Sequence, residues 1–158
     1  MAVDTKTVPG RRELIFSSLD EVVADAETLV ATSNTKMLGN WPLSQLLTHL
    51  ATAIKGSIDG YSTKAPWLIR LVGPLMKRRF LRNKMSPGFK LPKEVEVGFF
   101  PAAASPQEAL EQLRAAVGRL ENERMTTRHP VFGRLTHDEW TQLHLRHAEL
   151  HLGFAVLG

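Results

Sequence analysis

The chain contains no cysteine in its 158 residues. Disulfides, thiolate metal ligands and a cysteine nucleophile are therefore excluded, and any metal must be held by nitrogen and oxygen. No stretch approaches the eighteen or so uninterrupted apolar residues of a membrane span. No apolar run follows Met1-Ala2-Val3-Asp4, so neither a secretory signal nor a transit peptide is indicated and a cytoplasmic location is expected. Period-two alternation of useful length and internal repeats are also missing, which argues against a sheet protein or a solenoid. Acidic residues are missing from one place in particular. Arg70, Lys77, Arg78, Arg79, Arg82, Lys84 and Lys90 cluster in a stretch without Asp or Glu, so the positive excess of the chain, net charge +4, is concentrated there.

The length suits one domain, residues 1–158, with a single core. After an extended lead-in, Ser18 and Glu21 form a capping box for a first helix whose apolar face is Val22, Val23, Ala26, Leu29 and Val30. Trp41-Pro42 opens a second, with Leu43, Leu46, Leu47, Leu50, Ile54 and Ile58 at helical spacing. Ser105-Pro106-Gln107-Glu108 caps a third, with Ala109, Leu110, Leu113, Ala116, Val117 and Leu120 on its buried side. Thr136 and Glu139 cap the last, after the turn-rich His129-Pro130-Val131-Phe132-Gly133. The expected architecture is an all-α four-helix bundle with a crossover between its second and third helices. That crossover, Tyr61 to Pro101, reads as a proline-rich basic insertion. Within it, Trp67 to Arg82 forms a short amphipathic helix, or two helices broken at Gly73-Pro74.

The last helix carries histidine where leucine is expected. At about 100° per residue, Trp140, Leu143, His147, Leu150, His151 and Phe154 share one buried stripe. Imidazoles four residues apart project from one face and can bind the same ion. His49 supplies a third ligand from the second helix, beside Gln45 and Ala53, with Gly56 a further turn on leaving room. His49, His147 and His151 would hold a divalent ion, zinc or nickel by ligand type, with an open position for water, thiol or substrate. The competing reading makes all three core or rim histidines hydrogen-bonded to backbone or carboxylate. His144 falls on the flank, suited to a role behind the ligands or at the rim, and His129 and His137 read as structural or solvated. Glu149 and Asp138 fall on the polar side, Asp59 could reach the bundle mouth, and the single tyrosine, Tyr61, carries no catalytic signal.

The segment Trp41-Pro42-Leu43-Ser44-Gln45-Leu46-Leu47-Thr48-His49-Leu50-Ala51, followed about a hundred residues later by Trp140 to His151, resembles the DinB-like superfamily. Gly39-Asn40-Trp41-Pro42, Asp59-Gly60 and His129 to Thr136 are similar to a bacterial branch of unassigned function. The resemblance spans nearly the whole chain. It implies an up-up-down-down bundle, frequently dimeric, with His49, His147 and His151 as metal ligands. It also implies transferases and isomerases that use low-molecular-weight thiols, or metal-dependent hydrolases.

The leading expectation is thus a metal-dependent enzyme acting on a small molecule, with thiol transfer ahead of hydrolysis. The alternative, from another class, is a non-catalytic metal-binding or stress-response bundle. For the basic insertion, a lid helix packed over the bundle mouth is preferred to contact with an anionic membrane. No nucleic-acid reader motif is present.

Overall fold

A computed structural model describes residues 2–62, 65–88 and 105–158. The described residues are predominantly helical, with five α-helices: α1 (Leu19–Ala31), α2 (Leu43–Asp59), α3 (Trp67–Arg82), α4 (Pro106–Gly118) and α5 (His137–Leu152). The caps form where local chemistry demands. The Ser18 side chain accepts from the Glu21 amide, and Ser105 with Glu108 and Thr136 with Glu139 make reciprocal capping boxes. Each satisfies amide donors that a helix start would otherwise leave bare. α2 and α1 both pack on α4, and α5 lies against α1 and α2. Their apolar stripes meet in one cluster that includes Val22, Leu29, Leu47, Leu113, Leu145 and Leu152.

Four two-residue strands accompany the helices, which the sequence did not lead us to expect, because so short a ladder has no alternation to detect. β1 (Lys36–Met37) pairs antiparallel with β4 (Ala155–Val156), and β2 (Arg128–His129) pairs with β3 (Gly133–Arg134). The first ladder ties the α1–α2 connection to the end of the chain. The second is a hairpin turned by Gly133, at φ +75°.

The lead-in is a strap across the end of α5. Arg12 grips Asp25 with two 2.7 Å bonds and donates to the carbonyls of Ala155 and Leu152, while its amide donates to Gly153. Arg11 donates to the Leu150 carbonyl at 3.0 Å and lies over the Phe154 ring. Cations thus meet the bare carbonyls and the negative end of the helix dipole. Glu149 corrects the expectation of a polar-side residue. It is buried under the strap, where Oε1 accepts from the Phe16 amide at 2.9 Å and Oε2 lies 2.8 Å from Arg146 Nη1.

α3 runs unbroken through Gly73-Pro74, so the two-helix alternative is set aside. Pro74 and Arg70 are both exposed, leaving the Arg70 carbonyl that proline cannot satisfy open to water. α3 docks on the β2–β3 hairpin and on the start of α5, eight residues before His147. Gly73 sits so close to Val131 that a Cβ would lie 2.8 Å from its carbonyl carbon. Lys77 pairs with Glu139 at 2.8 Å, and Phe80 meets Phe132 at 5.1 Å between ring centroids. It is therefore not a lid over the histidine site. The part of the expected insertion at 89–101, including Lys90, Pro92 and Pro101, lies outside the described residues.

A second cluster forms around Met125, Phe132, Leu135, Trp140 and Leu143, with Tyr61 packed against it. The space at Gly56 belongs to this cluster and not to His49, as the sequence reading had it. The Tyr61 ring fills it, with Cζ 2.6 Å from where a Cβ would stand, and its hydroxyl donates to the Ala53 carbonyl at 2.7 Å. Gly56→Ala should therefore cost about 1–3 kcal/mol, because Tyr61 is anchored at both ends. Gly118→Ala, which meets nothing within 4 Å in a helical conformation, should stabilise by up to about 1 kcal/mol. Urea unfolding of the two variants checks the pair, and equal shifts in both would refute the packing argument.

Candidate metal centre

Three imidazoles converge where α2 passes α5. His147 and His151 project from one face of α5 as their spacing requires, and His49 reaches them from α2. Nε2 of His147 lies 3.0 Å from Nε2 of His49 and 3.0 Å from Nε2 of His151. All three rings offer a nitrogen within 4.8 Å of the others, and no Asp or Glu joins the group among the described residues. His49 is buried and the other two half-buried.

Trp41 walls the site. Its ring stacks on His151 at 5.1 Å with an 11° tilt and meets His49 edge-on at the same distance. The loop before it fixes that position. Gly39 rests against the Phe154 ring, the Leu38 amide donates to the Phe154 carbonyl at 2.8 Å, and the Asn40 side chain bonds both the amide and the carbonyl of Val3. Pro42 then serves as N-cap residue of α2. Sequence reading singled out this tetrapeptide without seeing that its tryptophan lines the site.

A neutral imidazole nitrogen is either a donor or an acceptor. His147 Nε2 faces two other Nε2 atoms with only one proton or one lone pair to offer, so the two 3.0 Å contacts must share it. Protonation is no remedy. Burial, then the neighbouring rings, lower the pKa of His147 well below 6.5, and burial, His49 and Arg11 do the same to His151. The geometry suits a metal instead, since neutral imidazoles are the ligating form. The nitrogens lie close enough together for His49, His147 and His151 to hold one ion between them.

The remaining histidines are used differently. Ser57 Oγ donates to the Ile54 carbonyl at 2.6 Å, so it is His144 Nε2 that donates to Ser57, at 3.1 Å. His144 is buried, stacked on Trp140, and held behind the trio. His129 Nδ1 accepts from the amides of Val131 and Phe132, both at 3.0 Å, and holds the hairpin turn. His137 Nδ1 accepts from the Met125 amide. Asp59 is taken by Arg119, through two 2.7 Å bonds, and is not part of the site.

Burial pushes His144 down to about 3 and His129 to about 4. In the unfolded chain such rings take up a proton below about pH 6.5, so the unfolded state binds more protons and stability falls as pH drops through that value. Each ring contributes up to about 1.4 kcal/mol per pH unit. In chelator-treated protein, His144→Gln should lower the slope of unfolding free energy between about pH 6 and pH 5 by as much as one ring's share. A slope identical to that of the parent chain would show that His144 is not held neutral.

The chain matches, over residues 9–157, the family described as protein of unknown function DUF1569. No significant match was found among curated proteins or among solved structures. The DinB-like resemblance is thereby corrected. Its two histidine segments state only that facing helices carry imidazoles, which unrelated helical proteins can share. Three converging histidines notwithstanding, the lineage is given by the match across nearly the whole length, and the chain belongs to the DUF1569 family.

Proposed function

We propose that this protein is a metal-dependent enzyme whose divalent ion, zinc or nickel by ligand type, is held by His49, His147 and His151 between the long helices of a four-helix bundle. The observation that carries this is the convergence of three imidazoles from two helices, with the Nε2 atoms of His49 and His151 each 3.0 Å from that of His147. Three neutral ligands leave the charge of a divalent ion uncompensated and its shell incomplete. Such an ion would supply Lewis acidity, lowering the pKa of a water or a small thiol at the open position.

This chain's own residues define the rest. Arg11, close enough to depress His151, adds positive charge on that side and favours an anionic occupant such as thiolate, hydroxide or a substrate carboxylate. Trp41 shields one side of the His49–His151 pair and keeps its own ring parallel to His151. The strap ties the end of α5, and with it the turn that carries His151, to Asp25 of α1. Thiol conjugation to an electrophile is the first reaction to test and ester hydrolysis the second.

Purified protein should carry about one equivalent of metal per chain, and His49→Ala and His147→Ala should lose it. Saturation at about a hundred times Kd should stabilise the parent by about 2.7 kcal/mol and the variants not at all. Equal metal content in all three proteins would overturn the reading. Binding without turnover on thiol and ester panels would retain the site and remove the enzyme.

A further inference from the structure

The outward side of α3 is not what a solvated helix presents. Trp67, Leu71 and Leu75 are 74, 66 and 84% exposed, and Leu68, Val72 and Met76 stand in the next row, also exposed. These are two i, i+4 rows over the first two and a half turns. At about 100° per residue, Arg78, Arg79 and Arg82 continue the same side over the last turns, also exposed. No acidic residue occurs anywhere from Gly60 to Lys93. The opposite side is anchored by Gly73, Lys77 and Phe80, as described above. The open apolar area is on the order of several hundred Å², more than scattered surface leucines leave and typical of a contact site.

We propose that α3 is a docking helix for an anionic lipid bilayer surface. The partner must offer apolar depth beside negative charge. A bilayer interface has both, with acyl chains beneath phosphates, and an amphipathic helix lying in its plane places arginines among headgroups and large side chains below them. Trp67, at the end of the apolar rows, is suited to the headgroup boundary. A second copy of the chain would bring the same arginines and, on this helix, no carboxylate to meet them. A nucleic acid would engage the arginines and leave the apolar rows in water. Docking is peripheral, because no described helix is long and apolar enough to cross a membrane.

The test is co-sedimentation of the full chain with phosphatidylcholine vesicles, with and without a third of phosphatidylglycerol, at low and high salt. Binding is expected only with the anionic lipid, weakened by salt, and accompanied by a blue shift in emission that Trp67→Phe abolishes. Neutralising Arg78, Arg79 and Arg82 to Gln should weaken partitioning about fivefold each, and together roughly a hundredfold. Leu71→Asn with Leu75→Asn should weaken it by roughly tenfold or more. These positions face outward, so an unchanged circular dichroism spectrum confirms that the fold survives. No binding to anionic vesicles at low salt overturns the proposal. So does binding indifferent to the two leucines, which would be charge attraction alone. Self-association abolished by the leucine variants, without vesicle binding, assigns the face to a second copy. Vesicle binding that emerges only when residues 89–104 are deleted assigns it to that segment, and either result overturns the proposal.

Discussion

The end of α5 is the constraint on which the rest of the molecule depends. A helix that stops inside a fold leaves carbonyls that must be satisfied, and this one stops beside α1 with His151 in its last turn. Arg12 answers by joining Asp25 of α1 to the carbonyls of Leu152 and Ala155 in a single planar fork. The same strap carries Arg11 onto Leu150 and Phe16 onto Glu149. Removing the fork would take the guanidinium from the half-buried Asp25 carboxylate and loosen the chain end that β1 and β4 pair. It would also release the turn of α5 that carries His151. The turn that carries His151 thus depends on a cation–carbonyl clamp behind it.

The six histidines divide by what their nitrogens face. His129 and His137 accept from backbone amides, and His144 donates to a serine hydroxyl whose own proton is already committed. Each is an ordinary solution to burying an imidazole. His49, His147 and His151 are not, because their nitrogens face one another. That contrast, within one chain and at comparable burial, marks His49, His147 and His151 as the candidate ligand set more sharply than the HxxxH spacing can. Spacing gives a shared helix face, whereas the direction of the lone pairs requires the partner helix.

What was legible in the sequence follows the same division. The capping boxes at Ser105 and Thr136 and the apolar faces of the long helices are set by local sequence, and so is the placing of His49 and of His147 with His151 on faces that can meet. Glu149 was misread because a helical wheel marks its side as polar and cannot show the strap that covers it. Gly56 was misread for a related reason, since the ring that fills its notch comes from Tyr61, beyond the end of α2. The DinB-like resemblance failed where it leaned on two histidine segments. Those segments encode a geometry of facing helices, and such a geometry is not a lineage.

α3 shows how an inner and an outer side of one helix can carry independent information. Its inner side reads Gly73, Lys77, Phe80, a spacing of four and three that fits it to the hairpin and to Glu139 at the start of α5. The histidine site begins at His147, eight residues further along, or roughly 12 Å at 1.5 Å per residue. A partner on the outer side of α3 thus meets a different end of α5 from the one where metal chemistry is expected. Lys77 is the hinge of that arrangement. It spends its charge on Glu139 in docking the helix, as Lys84 pairs with Glu13 beyond the helix end, and leaves Arg78, Arg79 and Arg82 facing outward.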